Sequence, residues 1–214
     1  MHSWQAEVRK RALLTLADYE KPRPSDDEDE GPRLRPFKME RWNLPLRSMG
    51  GAGPRARDAA NRFNDAFSGV ENNGLWKSNP QAAAHHVFSC DHHSTRRIMS
   101  AAALVATHCD GVTGPDDDYA FRAVEAPALL EEIHAFEVRA PGCSIDDPDM
   151  VVEYVVMAYR NMVVVYRGHT TPARSTWPET FRFAELAADR LKRAHARRHL
   201  IRMSHLLRRP SHRI

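Results

Sequence analysis

The 214 residues suffice for one ordinary domain with extensions. An apolar fraction of 42% permits a core, while a mean hydropathy of -0.57 and 28% charged residues exclude an integral membrane protein. The net charge is only +3, but the charges are segregated along the chain, and three cysteines at irregular spacing argue against a secreted disulfide framework.

The first 19 residues have helical spacing, with Trp4, Val8, Leu13, Leu14 and Leu16 among charges, and they lack the apolar core and small-residue cleavage site of a signal peptide. An intracellular protein is expected. KPRPSDDEDEGPRLRP follows, with four prolines and the five consecutive acids of residues 26–30. Such a composition buries too little surface to offset chain entropy, so it reads as a flexible linker. Ser25, directly before three acids, fits an acid-directed phosphorylation site or, more simply, a solvated acidic loop. Residues 37–54 read as extended chain ending in a Gly-rich joint. The first division is therefore 1–54.

A core domain is expected over 55–189. RARDAANRFNDAF from Arg55 is helical and stops at Gly69. A polar ENNG loop leads to Leu75 and Trp76. Ser94 or Thr95 can cap a helix over 96–108, and Gly111 ends it. APALLEEIHAFEV, residues 126–138, reads as an amphipathic helix with Pro127 near its first turn. Residues 147–168, DPDMVVEYVVMAYRNMVVVYRG, form the most apolar run. Asp147 suits an N-cap and Pro148 the first helical position, so a central helix is expected, with Glu153, Arg160 and Arg167 on one polar stripe. The alternative is a helix ending near Met162 followed by a strand over 163–167. Thr176-Trp-Pro-Glu179 matches a capping box and starts a last helix from Trp177 to about Arg208. The pattern is all-α, about six helices around one core.

Residues 190–214 change character. Arg190, Lys192, Arg193, Arg197, Arg198, Arg202, Arg208 and Arg209 accumulate with no acid among them. A run of cations repels itself unless it meets a polyanion, and nucleic-acid phosphates release counterions on binding. Interleaved Leu200, Ile201, Met203, Leu206 and Leu207 also fit an anionic membrane surface or an acidic partner, and RLKRAHARRH fits a nuclear import signal. Cys90, His92 (or His93), His108 and Cys109 offer a Cys2His2 donor set for zinc, although C-x-H-H then H-C matches no standard finger; ordinary buried cysteines with surface histidines are the simpler account. A phosphate loop, nucleophile elbow and H-E-x-x-H are all missing, so no enzyme is expected.

HSTR at residues 93–96, YRNM at 159–162 followed by Tyr166-Arg167 and Trp177, and Val87-Phe-Ser89 upstream resemble stretches of the accessory nuclear phosphoprotein of bocaparvoviruses. That resemblance implies a small viral non-enzyme of the host nucleus that supports viral DNA replication and RNA processing through nucleic-acid and host-factor contacts. The family's arginine- and serine-rich arm is absent here, which would leave nuclear entry to the C-terminal helix. A second resemblance, at His108-Cys109, Tyr154, Arg182-Phe183-Ala184 and 206–210, is to the helical coat proteins of flexuous filamentous viruses, which coat RNA. A third alternative from the residues alone is a zinc-stabilised protein–protein adaptor.

Overall fold

The computed structural model describes residues 3–19, 33–37, 44, 52–78, 82–113, 120–144, 147–170 and 176–207. Among these residues seven antiparallel strands make one sheet: β1 (Arg33–Phe37), β2 (Glu71–Ser78), β3 (Ala83–Ser89), β4 (Ala120–Val124), β5 (Glu132–Ser144), β6 (Asp147–Tyr159) and β7 (Met162–Thr170), in the order β1-β2-β3-β7-β6-β5-β4. Helices α2 (Pro54–Ala66) and α3 (His92–His108) cover one face. The other face carries α1 (Ser3–Ala12) and α4 (Trp177–Leu207), with a 3-10 turn at Leu16–Asp18.

The all-α expectation is therefore overturned, and the physical reason lies in β5, β6 and β7. Residues 147–168 are a hairpin, not a helix: Val155 pairs with Tyr166 and Tyr159 with Met162 around the turn at Arg160-Asn161, where Arg160 has φ 55°. Because helices cover both faces, the strands are buried on both sides, and residues 151–158 are all buried. Such a strand reads as a continuous apolar run without the alternation that betrays a half-exposed one. Asp147 and Pro148, which suggest a helix start, open β6 instead. Residues 132–138, the second half of the expected amphipathic helix, belong to β5, with Ala135 in one core and Phe136 and Val138 in the other. The expected polar stripe dissolves: Glu153 faces α4, Arg160 sits in the turn, and Arg167 falls on the α2/α3 side with Val163 and Val165.

Local corrections follow the same logic. The polar ENNG opens β2, where Asn72 pairs with Phe88 and Gly74 with His86. Asp91, not Ser94 or Thr95, caps α3 by accepting from the Ser94 amide at 2.6 Å.

Each face has its own core. Phe63 of α2 meets Phe67, Phe136 and Tyr154 edge-on, and Ile98, Met99, Ala102 and Val105 of α3 complete that layer. Opposite, Phe183, Ala184, Ala187, Ala188 and Leu191 of α4 pack with Val8, Ala12 and Leu14 against Val87, Val155, Met157 and Val164. Sheet edges are blunted: β4 is bridged by the turn after α3, with Gly111 N donating to Phe121 O at 3.0 Å and Ala123 N to Asp110 at 2.8 Å, and β1 carries Pro36.

The start of α4 is fixed by a residue from the sheet. A capping box would have Thr176 exchange hydrogen bonds with Glu179. Instead Glu153, 1% exposed on β6, accepts from the Thr176 amide at 3.1 Å and hydroxyl at 2.9 Å, and from the Thr180 hydroxyl. A carboxylate at a helix N-terminus satisfies free amides and opposes the dipole. Beside it on β5, Glu137 accepts from Trp177 Nε1 at 2.8 Å and pairs with Arg122 at 2.8 Å. These two acids dock α4 on the sheet.

Candidate polyanion-binding groove

The C-terminal helix meets the N-terminal helix along a shared flank. α1 is held from below by Arg9, a buried side chain that donates to Asn73 at 2.8 Å and to Ser89 and pairs with Glu71 at 3.0 Å. Past the helix, the Leu14 amide donates to Nδ1 of the fully buried His85 at 3.2 Å. The 3-10 turn then brings Asp18 to α4. Its carboxylate accepts from Arg190 Nε at 3.2 Å and Nη2 at 2.8 Å, while Arg190 also donates to the Leu13 carbonyl at 3.3 Å and the Thr15 hydroxyl at 3.2 Å. Desolvation opposes ionisation of Asp18, but hydrogen bonds from Thr15 and from the Arg190 guanidinium outweigh it and hold the carboxyl below its usual value. Tyr19, its ring tilted against that of Phe183 with centroids 4.7 Å apart, closes the turn on α4.

Between the two helices lies a groove of about 410 Å³ lined by Lys10, Arg11, Leu13, Thr15, Arg190, Arg193 and Ala194. Four of these residues are cations, and Leu13 and Ala194 are the apolar members of the lining. Arg11 pairs with Glu7 at 2.7 Å and Arg193 with Asp189 at 3.6 Å, both at i,i+4 spacing and solvent-exposed. Such exposed pairs contribute little and yield readily to a multivalent anion. Lys10 makes no ion pair among the described residues.

Of the cations singled out in the sequence, Arg190 is tied to Asp18, whereas Lys192 and Arg193 face solvent. Arg197, Arg198 and Arg202 continue α4, but their side chains lie outside the described residues, as do Arg208, Arg209 and Ser25 altogether. The structure adds Lys10, Arg11 and Thr15, which the sequence places 175 positions or more from their partners on α4. The only earlier signal for them is the basic end of α1, Arg9-Lys10-Arg11.

The cysteine–histidine set does not come together. His92 and His108 are the first and last residues of α3, a helix of 17 residues, which puts them about 24 Å apart along its axis. Cys90 and Cys109 are buried, and burial pushes their thiols up to about 12 and about 11, away from the thiolate that binds zinc. Cys109 Sγ donates instead to the Ala56 carbonyl at 3.6 Å. Among the described residues no group of three or more His, Cys, Asp or Glu is placed to hold a metal ion, and no helix is long and apolar enough to cross a membrane.

No family model matches this sequence, and no curated protein sequence does. In three dimensions the chain is similar to the extracellular domain of PknH from Mycobacterium tuberculosis. The TM-score is 0.50 at 13% identity, over 89% of this chain and 96% of that one. At that identity the likeness shows the fold alone, and that fold is mixed α/β. It removes the all-α architecture implied by the coat-protein resemblance, and no match supports the bocaparvovirus resemblance or a viral or nuclear assignment.

Proposed function

We propose that this chain is a non-catalytic binding domain that takes a nucleic-acid backbone along the flank where α1 meets α4. The observation that supports this is the convergence of four cations from two helices, Lys10, Arg11, Arg190 and Arg193, on one open groove. Lys192 is exposed one turn or less away. Counterion release from phosphates supplies the driving force, and it requires only cations at a solvent-facing surface. The two acids facing α4 fit no catalytic role in this reading, because Glu137 and Glu153 are engaged by Arg122, Trp177, Thr176 and Thr180. Leu13 and Ala194, the apolar members of the lining, would meet the sugar–base side of a strand.

The test is anisotropy of a labelled single-stranded oligonucleotide titrated with the full chain at several salt concentrations. Lys192→Ala with Arg193→Ala is expected to weaken binding and flatten the slope of log K against log salt by about 1.4, two contacts at roughly 0.7 each. An unchanged slope, or a wild-type chain that does not bind, contradicts the proposal.

A further inference from the structure

We infer that the groove is a phosphate-group site for which Asp18 acts as a built-in competitor, holding Arg190 until a ligand phosphate replaces it. This rests on the polyanion reading above and names the regulation of that same surface. Among the described residues the Arg190 guanidinium donates to oxygen alone: the Asp18 carboxylate, with Nη2 at 2.6 Å from Oδ2 as well as its contacts to Oδ1, the Leu13 carbonyl and the Thr15 hydroxyl. A planar guanidinium gripped on its Nε and Nη2 edge by an oxyanion is the geometry by which arginine recognises phosphate. Asp18 therefore occupies the position that a phosphate oxygen pair would take.

The pair is also placed where exchange is feasible. Arg190 retains 28% of its side-chain exposure and lines the groove itself. A phosphate entering between Lys10, Arg11 and Arg193 reaches that guanidinium without moving α4. Asp18 would in turn keep its hydrogen bonds from the Thr15 amide and hydroxyl, the latter at 2.8 Å, so its release leaves the carboxylate still capped. The N-terminal helix is thereby part of the binding element: it supplies two cations to the groove and carries, six residues past its end, the acid that restrains a third.

Four variants of the full chain test this with the same oligonucleotide. Lys10→Ala, at an exposed position, should bind about threefold more weakly and lose about 0.7 from the salt slope. Asp18→Asn should bind several-fold more tightly with a steeper slope, because Arg190 becomes available, and Asp18→Glu should return toward wild type. If Asp18→Asn binds no tighter, the competitor role is overturned even where Lys192 and Arg193 still govern the slope. Should that variant lose its near-UV circular dichroism, Lys10→Ala and Arg11→Ala decide the matter, and wild-type affinity in both overturns the groove as a site. Failure of every chain, wild type included, to bind sinks the broader proposal as well.

Discussion

Replacing Glu153 by leucine is expected to lower the unfolding free energy by about 3–4 kcal/mol and the melting temperature by roughly 10 °C. The side chain is 1% exposed and accepts from three donors, the Thr176 amide and the Thr176 and Thr180 hydroxyls. Leucine fills the space but leaves all three without their acceptor, the Thr180 hydroxyl in the interior and the Thr176 groups part-buried, and unsatisfied buried donors cost more than the bonds contribute when made. Glu153→Gln preserves shape and one acceptor oxygen, so about half the loss is expected. The facing residue reports on the same contact. A Cβ built on Gly168 lies 2.7 Å from the Thr180 hydroxyl and 3.4 Å from Glu153 Oε2. Since Glu153 holds that hydroxyl in place, Gly168→Ala is expected to cost about 1–2 kcal/mol, and the double variant should lose less than the sum. Thermal denaturation of the four variants beside wild type checks this; a Glu153→Leu chain melting with wild type would show that α4 is docked by apolar packing alone.

Stability should also fall steeply below neutral pH. Burial pushes the His85 and His86 imidazoles down to about 3, with the Arg190 and Arg167 guanidinium charges respectively adding to the effect. Burial, again aided by Arg167, pushes His169 down to about 4. Folded values below the unfolded one mean that the unfolded chain binds more protons. The contribution is complete above about pH 6.5 and is lost as pH falls toward 3–4. Three such groups give a slope of roughly 4 kcal/mol per pH unit within that window, enough to exhaust a typical net stability near pH 4–5. The geometry agrees: Nδ1 of His85 accepts the Leu14 amide and cannot do so when protonated, while Nε2 of His85 and of His169 has no hydrogen-bond partner among the described residues. Phenylalanine at 169 keeps the edge contact with Trp76, whose ring lies 5.1 Å from the histidine. His169→Phe should therefore match wild type at pH 8 and reduce the acid slope by about one third. Denaturant melts at a series of pH values measure it, and a slope unchanged by that substitution would place the proton uptake elsewhere.

What the sequence made legible divides along physical lines. Helices with one solvent face were readable: α2 from its spacing and its stop, α4 from Thr176 and Trp177, and the first helix from Trp4 and Val8. Of the strands, only the alternative over 163–167, which lies inside β7, was readable; the rest were not, because β6 and β7 are wrapped on both sides and Pro148 imitates a helix start. The groove was half legible. A run of cations on α4 is visible in one dimension, but Asp18 and Thr15 reach it only through the docking of α1, a contact across more than 170 positions. The cysteine–histidine cluster misled for the opposite reason: closeness in sequence became the two ends of a single helix. Glu153 looked like one member of a solvated stripe and proved to be an internal cap.

Photo-crosslinking of the full chain to an oligonucleotide carrying a photoreactive base, mapped by mass spectrometry, addresses the binding surface directly. Crosslinks are expected within residues 10–15 and 189–196, on the two flanks of the groove, and they should fade with added salt. Crosslinks gathered instead on α2 and α3, or the absence of any under conditions where the oligonucleotide is in excess, would contradict the assignment of this flank to a polyanion.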